Sequence, residues 1–160
     1  MNSESQGVQN RHTMAAARSF VVNSLAARAQ SVAEIEAKLA AREVPPDVAA
    51  AVIADALELG YLDDEELAGQ LARGFRTRGY GRRRAAQALR RRGLSVVSET
   101  ALDAAFGAQD EAELAAAALG SRPTGDPKAR RNAVAFLVRR GFTPAAAWQV
   151  VAARGRGETP

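Results

Sequence analysis

Apolar residues recur every three or four positions along most of the chain, as they do on one face of an α-helix. Val48, Val52, Ile53 and Leu57 give one such series. No stretch alternates β-branched and polar residues for long enough to indicate a strand. The pattern therefore predicts an all-α protein. The predicted helices cover residues 15–28, 32–41, 46–59, 63–76, 82–92, 97–106, 109–119, 127–141 and a ninth segment from 144 onward.

Helix-capping residues support these boundaries. Ser31 with Glu34, and Asp63 with Glu66, have the spacing of a capping box, in which the two side chains bond each other's backbone N–H groups. Three predicted helices have proline at the first position, where its missing N–H costs nothing. They start at the dipeptides Pro45-Pro46, Asp126-Pro127 and Thr143-Pro144. Glycine at positions 60, 93 and 141 is typical of a helix end.

A six-residue pattern, Leu-x-x-Arg-(Gly/Glu)-apolar, occurs three times, at residues 39–44, 89–94 and 137–142. The spacing predicts three tandem three-helix modules, residues 14–61, 62–107 and 108–154, between a flexible tail of residues 1–13 and a C-terminal tail of residues 155–160. Such repeats contact mainly their neighbours, so we expect an elongated, curved array. The first copy has Glu43 where glycine would better suit a left-handed turn, so that turn is expected to differ.

Composition excludes several classes of function. Ala supplies 37 of the 160 residues, so the core must be built from closely packed, Ala-lined helices. With no Cys and a single His, His12 in the predicted tail, the chain offers neither a disulfide framework nor a multi-His metal site. No apolar run is long enough to span a bilayer, and residues 1–13 lack a secretory pattern. We expect a monomeric cytoplasmic protein that is not an enzyme and has no cofactor or metal.

Charge is arranged in blocks. Residues 31–66 carry a net charge of −8, whereas residues 67–98 contain nine Arg and no acidic residue. A preference for Arg over Lys can follow from genome composition, but the clustering cannot. It favours an anionic partner, with a solvated basic face as the alternative.

Helical geometry places the arginines of the fifth helix on one face. Ala85, Ala88 and Leu89 define its buried side, and Arg83, Arg84, Arg90 and Arg91 lie opposite. The candidate partner- or DNA-binding residues are Arg73, Arg76, Arg82, Arg83, Arg84, Arg90 and Arg91, together with a second cluster of Lys128, Arg130, Arg131, Arg139 and Arg140. The alternative is structural: Arg stems cover apolar surface, and Arg92 and Arg140 bond helix-end carbonyls.

Three further features have structural interpretations. Tyr80, between Gly79 and Gly81, is expected to anchor a turn in the core, with stacking on a nucleobase as the alternative. Trp148 is expected in the core because it shares a helical spacing with apolar residues. The acids at 63–66 are better explained by capping and the helix dipole than by a metal site.

Several motifs resemble the RecX family of bacterial regulatory proteins. They are residues 60–68 (GYLDDEELA), 76–81 (RTRGYG), 89–93 (LRRRG) and 137–143 (LVRRGFT). The resemblance covers about residues 15–153. It implies tandem three-helix repeats and a modulator, usually an inhibitor, of the RecA recombinase. It also implies docking along the RecA–single-stranded-DNA filament, weak binding of single- and double-stranded DNA without sequence preference, and damping of recombination and of the SOS response.

Two other functions remain open on the sequence alone. One is a free-standing DNA-binding regulator whose residues 82–92 enter a major groove. The other is a helical protein–protein adaptor with no nucleic-acid role.

Overall fold

The computed structural model describes the backbone of residues 2–157 and the side chains of residues 13–157. Over that part, the chain forms nine α-helices and no strand, which confirms the predicted fold class. The helices are α1 (Asn2–Ala27), α2 (Val32–Ala40), α3 (Pro46–Glu58), α4 (Asp64–Thr77), α5 (Arg82–Arg91), α6 (Ser98–Phe106), α7 (Glu111–Leu119), α8 (Pro127–Arg139) and α9 (Pro144–Gly155). None of these helices is both long and apolar enough to cross a membrane.

The first helix is longer than predicted. It begins at Asn2, so residues 2–13 of the predicted tail are helical. This segment contains no proline, and a helix that is already nucleated extends at little cost where nothing interrupts it. The side chain of His12 and residues 158–160 of the predicted C-terminal tail lie outside the described residues.

The predicted caps are present and explain where the helices start. The Ser31 hydroxyl accepts a hydrogen bond from the Glu34 N–H, while the Glu34 carboxylate accepts one from the Ser31 N–H. Asp63 accepts from the N–H of Glu66 at 2.9 Å. Asp126 and Thr143 cap α8 and α9 in the same way. Each of these bonds satisfies an N–H group that the helix itself leaves unpaired.

The three copies of the six-residue pattern all have a positive φ at the turn that ends them. Their fifth residues, Glu43, Gly93 and Gly141, have φ angles of 56°, 74° and 95°. The expectation that the Glu43 turn would differ is therefore wrong for the backbone. Because a side chain raises the energy of left-handed backbone by about 1–2 kcal/mol, this turn carries local strain.

The chain divides into two compact units. Unit 1 is Met1–Leu67 with Arg92–Leu94, and unit 2 is Ala68–Arg91 with Ser95–Pro160. These limits do not coincide with the predicted module ends at residues 61 and 107, and the module boundaries stay a prediction.

Each unit has its own apolar core. In unit 1, α1 and α2 both pack on α3 around Val21, Ile35, Leu39 and Val52. In unit 2, α7, α8 and α9 pack together around Leu119, Leu137, Phe142 and Val151, and α5 packs on α6. The leucines of the three pattern copies, at 39, 89 and 137, are all fully buried.

The expected burial of Trp148 is wrong, since half of this residue is exposed. Its helix, α9, is rich in alanine, and small residues make more than one face of a helix apolar. The buried side is Ala146, Ala147, Val150 and Val151. The spacing alone therefore did not identify the side of α9 that faces the core.

Candidate functional site

The orientation of α5 follows the predicted helical wheel. Ala85 and Leu89 are fully buried, whereas Arg83, Arg84, Arg90 and Arg91 are exposed. We call these four residues the α5 arginine face. Arg84 donates to the side-chain oxygen of Gln87 at 3.3 Å. Among the described residues, none of the four forms an ion pair with a carboxylate.

Arg82, the first residue of α5, has a different environment. Its guanidinium group lies 2.8 Å from carboxylate oxygens of both Glu99 and Asp103 on α6. The sequence showed no acidic residue on α5, but it could not show that α6 supplies two. Arg82 therefore joins α5 to α6, and the α5 arginine face begins at Arg83.

The arginines of α4 lie in the same unit as α5. Arg73 and Arg76 are exposed, as predicted, and Arg76 donates to Gln109. Arg78, which the sequence did not assign, has its Nε 2.9 Å from the Gly74 carbonyl and its guanidinium 4.9 Å from the centre of the Phe75 ring. Because Arg78 comes just after the end of α4, helical geometry did not predict its orientation.

The second predicted cluster divides into two groups. Lys128, Arg131 and Arg139 are exposed and form no ion pair within the described part of the chain. Arg130 instead donates to the carbonyls of Thr124 and Gly125, each at 3.2 Å. It thereby holds the loop that precedes α8.

Arg140 also has structural partners. Its Nη1 donates to the carbonyls of Arg78 and Gly79 at 2.8 and 2.9 Å, and its guanidinium lies 4.7 Å from the centre of the Tyr80 ring. The Tyr80 ring meets Phe75 edge to face at 5.5 Å. Tyr80 is thus a half-buried anchor of the α4–α5 turn, and Arg140 stabilises that turn from the end of α8.

Arg92 has the equivalent position in the pattern and a corresponding role in unit 1. It donates to the Ala29 carbonyl at 2.8 Å and pairs with Glu34 at 2.6 Å. Burial alone would raise the pKa of Glu34, but hydrogen bonds from Arg92 and the Ser31 N–H, with the charges of Arg92 and Arg28, outweigh it and lower the pKa to about 2.

The surface that results can bind anions. Guanidinium groups form directed, charge-assisted hydrogen bonds to phosphate and carboxylate oxygens. Within the described residues, no group of three or more His, Cys, Asp or Glu side chains is arranged to hold a metal ion. That the α5 arginine face and the α8 cations bind a partner stays a prediction.

Comparison with known proteins identifies the family. The model of the first three-helix domain of RecX matches residues 17–55. The protein named "Regulatory protein RecX" from Mycolicibacterium vanbaalenii is 36% identical over 152 residues, which cover 86% of this chain and 81% of that protein. The one from Mycobacterium sp. (strain JLS) is 34% identical over 152 residues, 89% of this chain and 83% of that protein.

A solved structure shares the fold. The crystal structure of RecX from Lactobacillus salivarius matches with a TM-score of 0.76 at 17% identity, over 91% of this chain and 98% of that chain. With more than 30% identity to curated relatives over most of their length, the chain belongs to the RecX family of regulatory proteins.

Proposed function

We propose that the chain is a non-enzymatic, cytoplasmic regulator that binds the RecA–single-stranded-DNA filament and inhibits or modulates the recombinase. The observation that carries this proposal, beside membership of the family, is the α5 arginine face. Arg83, Arg84, Arg90 and Arg91 are exposed together and form no ion pair within the described residues. A helix with this many neighbouring like charges is less stable than a neutral one, and an anionic partner relieves the repulsion.

The expected mode of action is electrostatic. The arginines attract the phosphates of the filament's DNA or acidic surface of the recombinase, and the bound protein interferes with filament growth or activity. Long-range attraction mainly raises the association rate and is weakened by salt. Binding to DNA alone is therefore expected to be weak, tolerant of sequence and steeply dependent on salt concentration.

A recombinase ATPase assay on single-stranded DNA tests the proposal. The unmodified chain should lower ATP hydrolysis, and the variant with all four face arginines changed to Ala should inhibit less at physiological salt. Folding should be preserved because Ala favours helix and the repulsion is removed. Circular dichroism and urea unfolding check the fold of the variant.

Arg131→Ala with Arg139→Ala is a matched control for a double variant, Arg90→Ala with Arg91→Ala. Both pairs are exposed, and both changes remove two charges. A larger loss of inhibition for the α5 pair identifies α5 as the main binding surface, whereas equal losses would show that the α8 cluster contributes equally or that only net charge matters. If the unmodified chain leaves ATP hydrolysis unchanged and binds one duplex sequence selectively, the free-standing DNA-binding regulator is the better description. A protein–protein adaptor would neither change ATP hydrolysis nor bind DNA.

A further inference from the structure

A small polar cavity lies beside α5 in unit 2. Its volume is about 240 Å³, below the roughly 300–1,000 Å³ of pockets that hold whole drug-sized ligands. The cavity therefore suits one chemical group of a longer molecule. Its lining includes Phe75, Arg78, Tyr80, Arg84, Gln87 and Arg91.

All charged residues that line this cavity are positive. Three arginines, Arg78, Arg84 and Arg91, line the cavity, and no carboxylate belongs to its lining. Two of the three are held in place, since Arg78 donates to the Gly74 carbonyl and Arg84 to Gln87. Arginines that are positioned before the ligand arrives lose less conformational entropy on binding. The group that fits such a lining is a compact anion with several acceptor oxygens.

An aromatic surface adjoins the three arginines. Tyr80 lines the cavity and is fixed by the Phe75 ring on one side and the Arg140 guanidinium on another. Its backbone is fixed too, because the preceding residue, Gly79, has a φ of 73° and the Tyr80 N–H donates to the Phe75 carbonyl at 3.0 Å. Aromatic side chains beside basic residues are the usual means of holding a nucleobase next to its phosphate.

We infer that this cavity binds one phosphodiester group of single-stranded nucleic acid through Arg78, Arg84 and Arg91, with the adjoining base against Tyr80. The inference rests on the proposed function in taking single-stranded nucleic acid as the ligand. It divides the α5 arginine face into two parts. Arg84 and Arg91 line the cavity, whereas Arg83 and Arg90 do not.

That division provides a matched pair of variants. Arg84→Ala with Arg91→Ala and Arg83→Ala with Arg90→Ala change the same helix, remove the same charge and affect only exposed residues. Binding to a fluorescent oligothymidylate is measured without recombinase at several salt concentrations. The cavity pair should weaken binding about tenfold or more and reduce the salt slope by about 0.7 for each phosphate that the variant no longer binds. The other pair should weaken binding only about twofold to threefold, through long-range attraction.

Two further arms separate the phosphate from the base. Tyr80→Leu should weaken binding of oligothymidylate about tenfold and leave binding of an abasic chain of equal length unchanged, whereas Tyr80→Phe should bind both like the unmodified protein. Urea unfolding identifies any Tyr80 variant whose fold is disturbed. If the fold of Tyr80→Leu is disturbed, the unmodified protein is used alone. The base contact is then supported if this protein binds an abasic chain tenfold less tightly than oligothymidylate.

Equal losses for the two arginine pairs would overturn the inference. So would competition by polyglutamate as strong as that by the oligonucleotide, because the cavity would then bind acidic protein surface. The ATPase assay keeps this result separate from the proposed function. If the cavity pair loses inhibition but still binds oligonucleotide normally, the cavity assignment fails and the regulator stands. If the cavity pair weakens oligonucleotide binding but the unmodified protein does not inhibit the recombinase, the cavity assignment stands and the proposed function fails.

Discussion

Two turns with the same sequence pattern pack against helix starts in different ways. In unit 1, the turn Arg92–Leu94 lies against the start of α2, where the Ser31 hydroxyl donates to the Arg92 carbonyl at 2.6 Å. In unit 2, residues 140–142 lie against the start of α5, where the Gly81 N–H donates to the Arg140 carbonyl at 2.9 Å. We call these the first and second turn contacts. In both, the arginine also donates to carbonyls just before the helix, Ala29 in one and Gly79 in the other.

The difference is in what neutralises or covers the arginine. Arg92 pairs with Glu34 on α2, whereas Arg140 lies over the rings of Tyr80 and Phe136. In the repeat, the position of Glu34 corresponds to Arg84 on α5. Because Arg140 packs on aromatic rings and not against a carboxylate, the second turn contact forms without an acidic residue on α5. The same architectural contact can thus stabilise an acidic helix start or leave an arginine-rich one available for a partner.

The largest expected effect comes from Gly141→Ala. A Cβ atom at this position would lie 2.4 Å from the backbone nitrogen of Arg84, and the φ of 95° is unfavourable for any side chain. Overpacking and backbone strain together should lower the free energy of unfolding by about 3 kcal/mol or more. Gly60→Ala, with a φ of 72° and nothing within 4 Å, is the control and should cost only about 1 kcal/mol. Urea unfolding measures both, and similar values for the two would contradict the close approach.

The equivalent change at the first turn contact should be partly reversible. A Cβ at Gly93 would lie 2.4 Å from the Cβ of Ala33, which is a side-chain atom and not backbone. Gly93→Ala should therefore destabilise the protein by about 2–3 kcal/mol, and adding Ala33→Gly should recover part of that loss. Ala33→Gly alone is measured as well, because glycine in a helix costs up to about 1 kcal/mol by itself. If Gly93→Ala costs as much in the Ala33→Gly background as in the unmodified chain, backbone strain and not the steric contact dominates at this turn.

Acid should weaken only the first turn contact. The pKa of Glu34 is about 2 in the folded protein and 4.5 without its partners. Because the folded pKa is the lower one, the stabilisation is complete above pH 4.5 and is lost as the pH falls towards 2. It amounts to about 3 kcal/mol. Glu34→Gln should be less stable than the unmodified chain at pH 7 by a similar amount.

The difference between the two proteins should shrink to near zero at about pH 2. Urea unfolding followed by circular dichroism across this range measures it. A difference that stays constant with pH would mean that Glu34 acts through packing and not through its charge.

Arg140→Lys should have a smaller effect at the second turn contact. Lysine keeps the charge, but its shorter side chain ends in a compact ammonium group that cannot stack over the Tyr80 and Phe136 rings as the planar guanidinium does. We expect a loss of about 1–2 kcal/mol in unfolding free energy. Arg139→Lys, on an exposed neighbour, should change stability by less than about 0.5 kcal/mol. Equal effects would remove the structural role assigned to Arg140.

The smallest expected effect is a gain. Glu43 has a φ of 56° and is exposed. In the other two copies of the pattern, the residue at this position is glycine, which has no side chain. Glu43→Gly should raise the free energy of unfolding by about 1 kcal/mol because glycine adopts this backbone without strain. A thermal midpoint that falls instead would show that the glutamate has a stabilising contact or that chain entropy outweighs the strain.

Local signals made most helix boundaries predictable. Prolines at 46, 127 and 144 and the caps at Ser31, Asp63, Asp126 and Thr143 act on residues within one turn, so the sequence is sufficient to locate them. The exposure of the α5 arginines was also predictable, because Leu89 is the one large apolar residue of α5 and its position determines which side of the helix is buried.

Contacts between distant residues were not predictable. The partners of Arg82 come from α6, those of Arg140 from residues 78–80, and the partner of Arg92 from α2, so each depends on how helices pack. Trp148 was misplaced for a related reason: an alanine-rich helix leaves more than one face suitable for burial. That Arg78 lines one cavity with Arg84 and Arg91 likewise depends on the path of the α4–α5 turn.

The Cβ atom of Glu43 restricts how copies of the protein can associate. Its turn, like the two turns that receive a helix start, has a positive φ. The starts of α2 and α5 are already occupied within the chain, so the equivalent surface that could dock on it is the start of α8 in another copy. A contact that joins unlike surfaces of identical molecules does not close on itself and extends into open filaments. At Gly93 and Gly141 the added atom would come within 2.4 Å of the approaching helix. The same atom, present in Glu43, would meet any helix start that approached this turn in the same way.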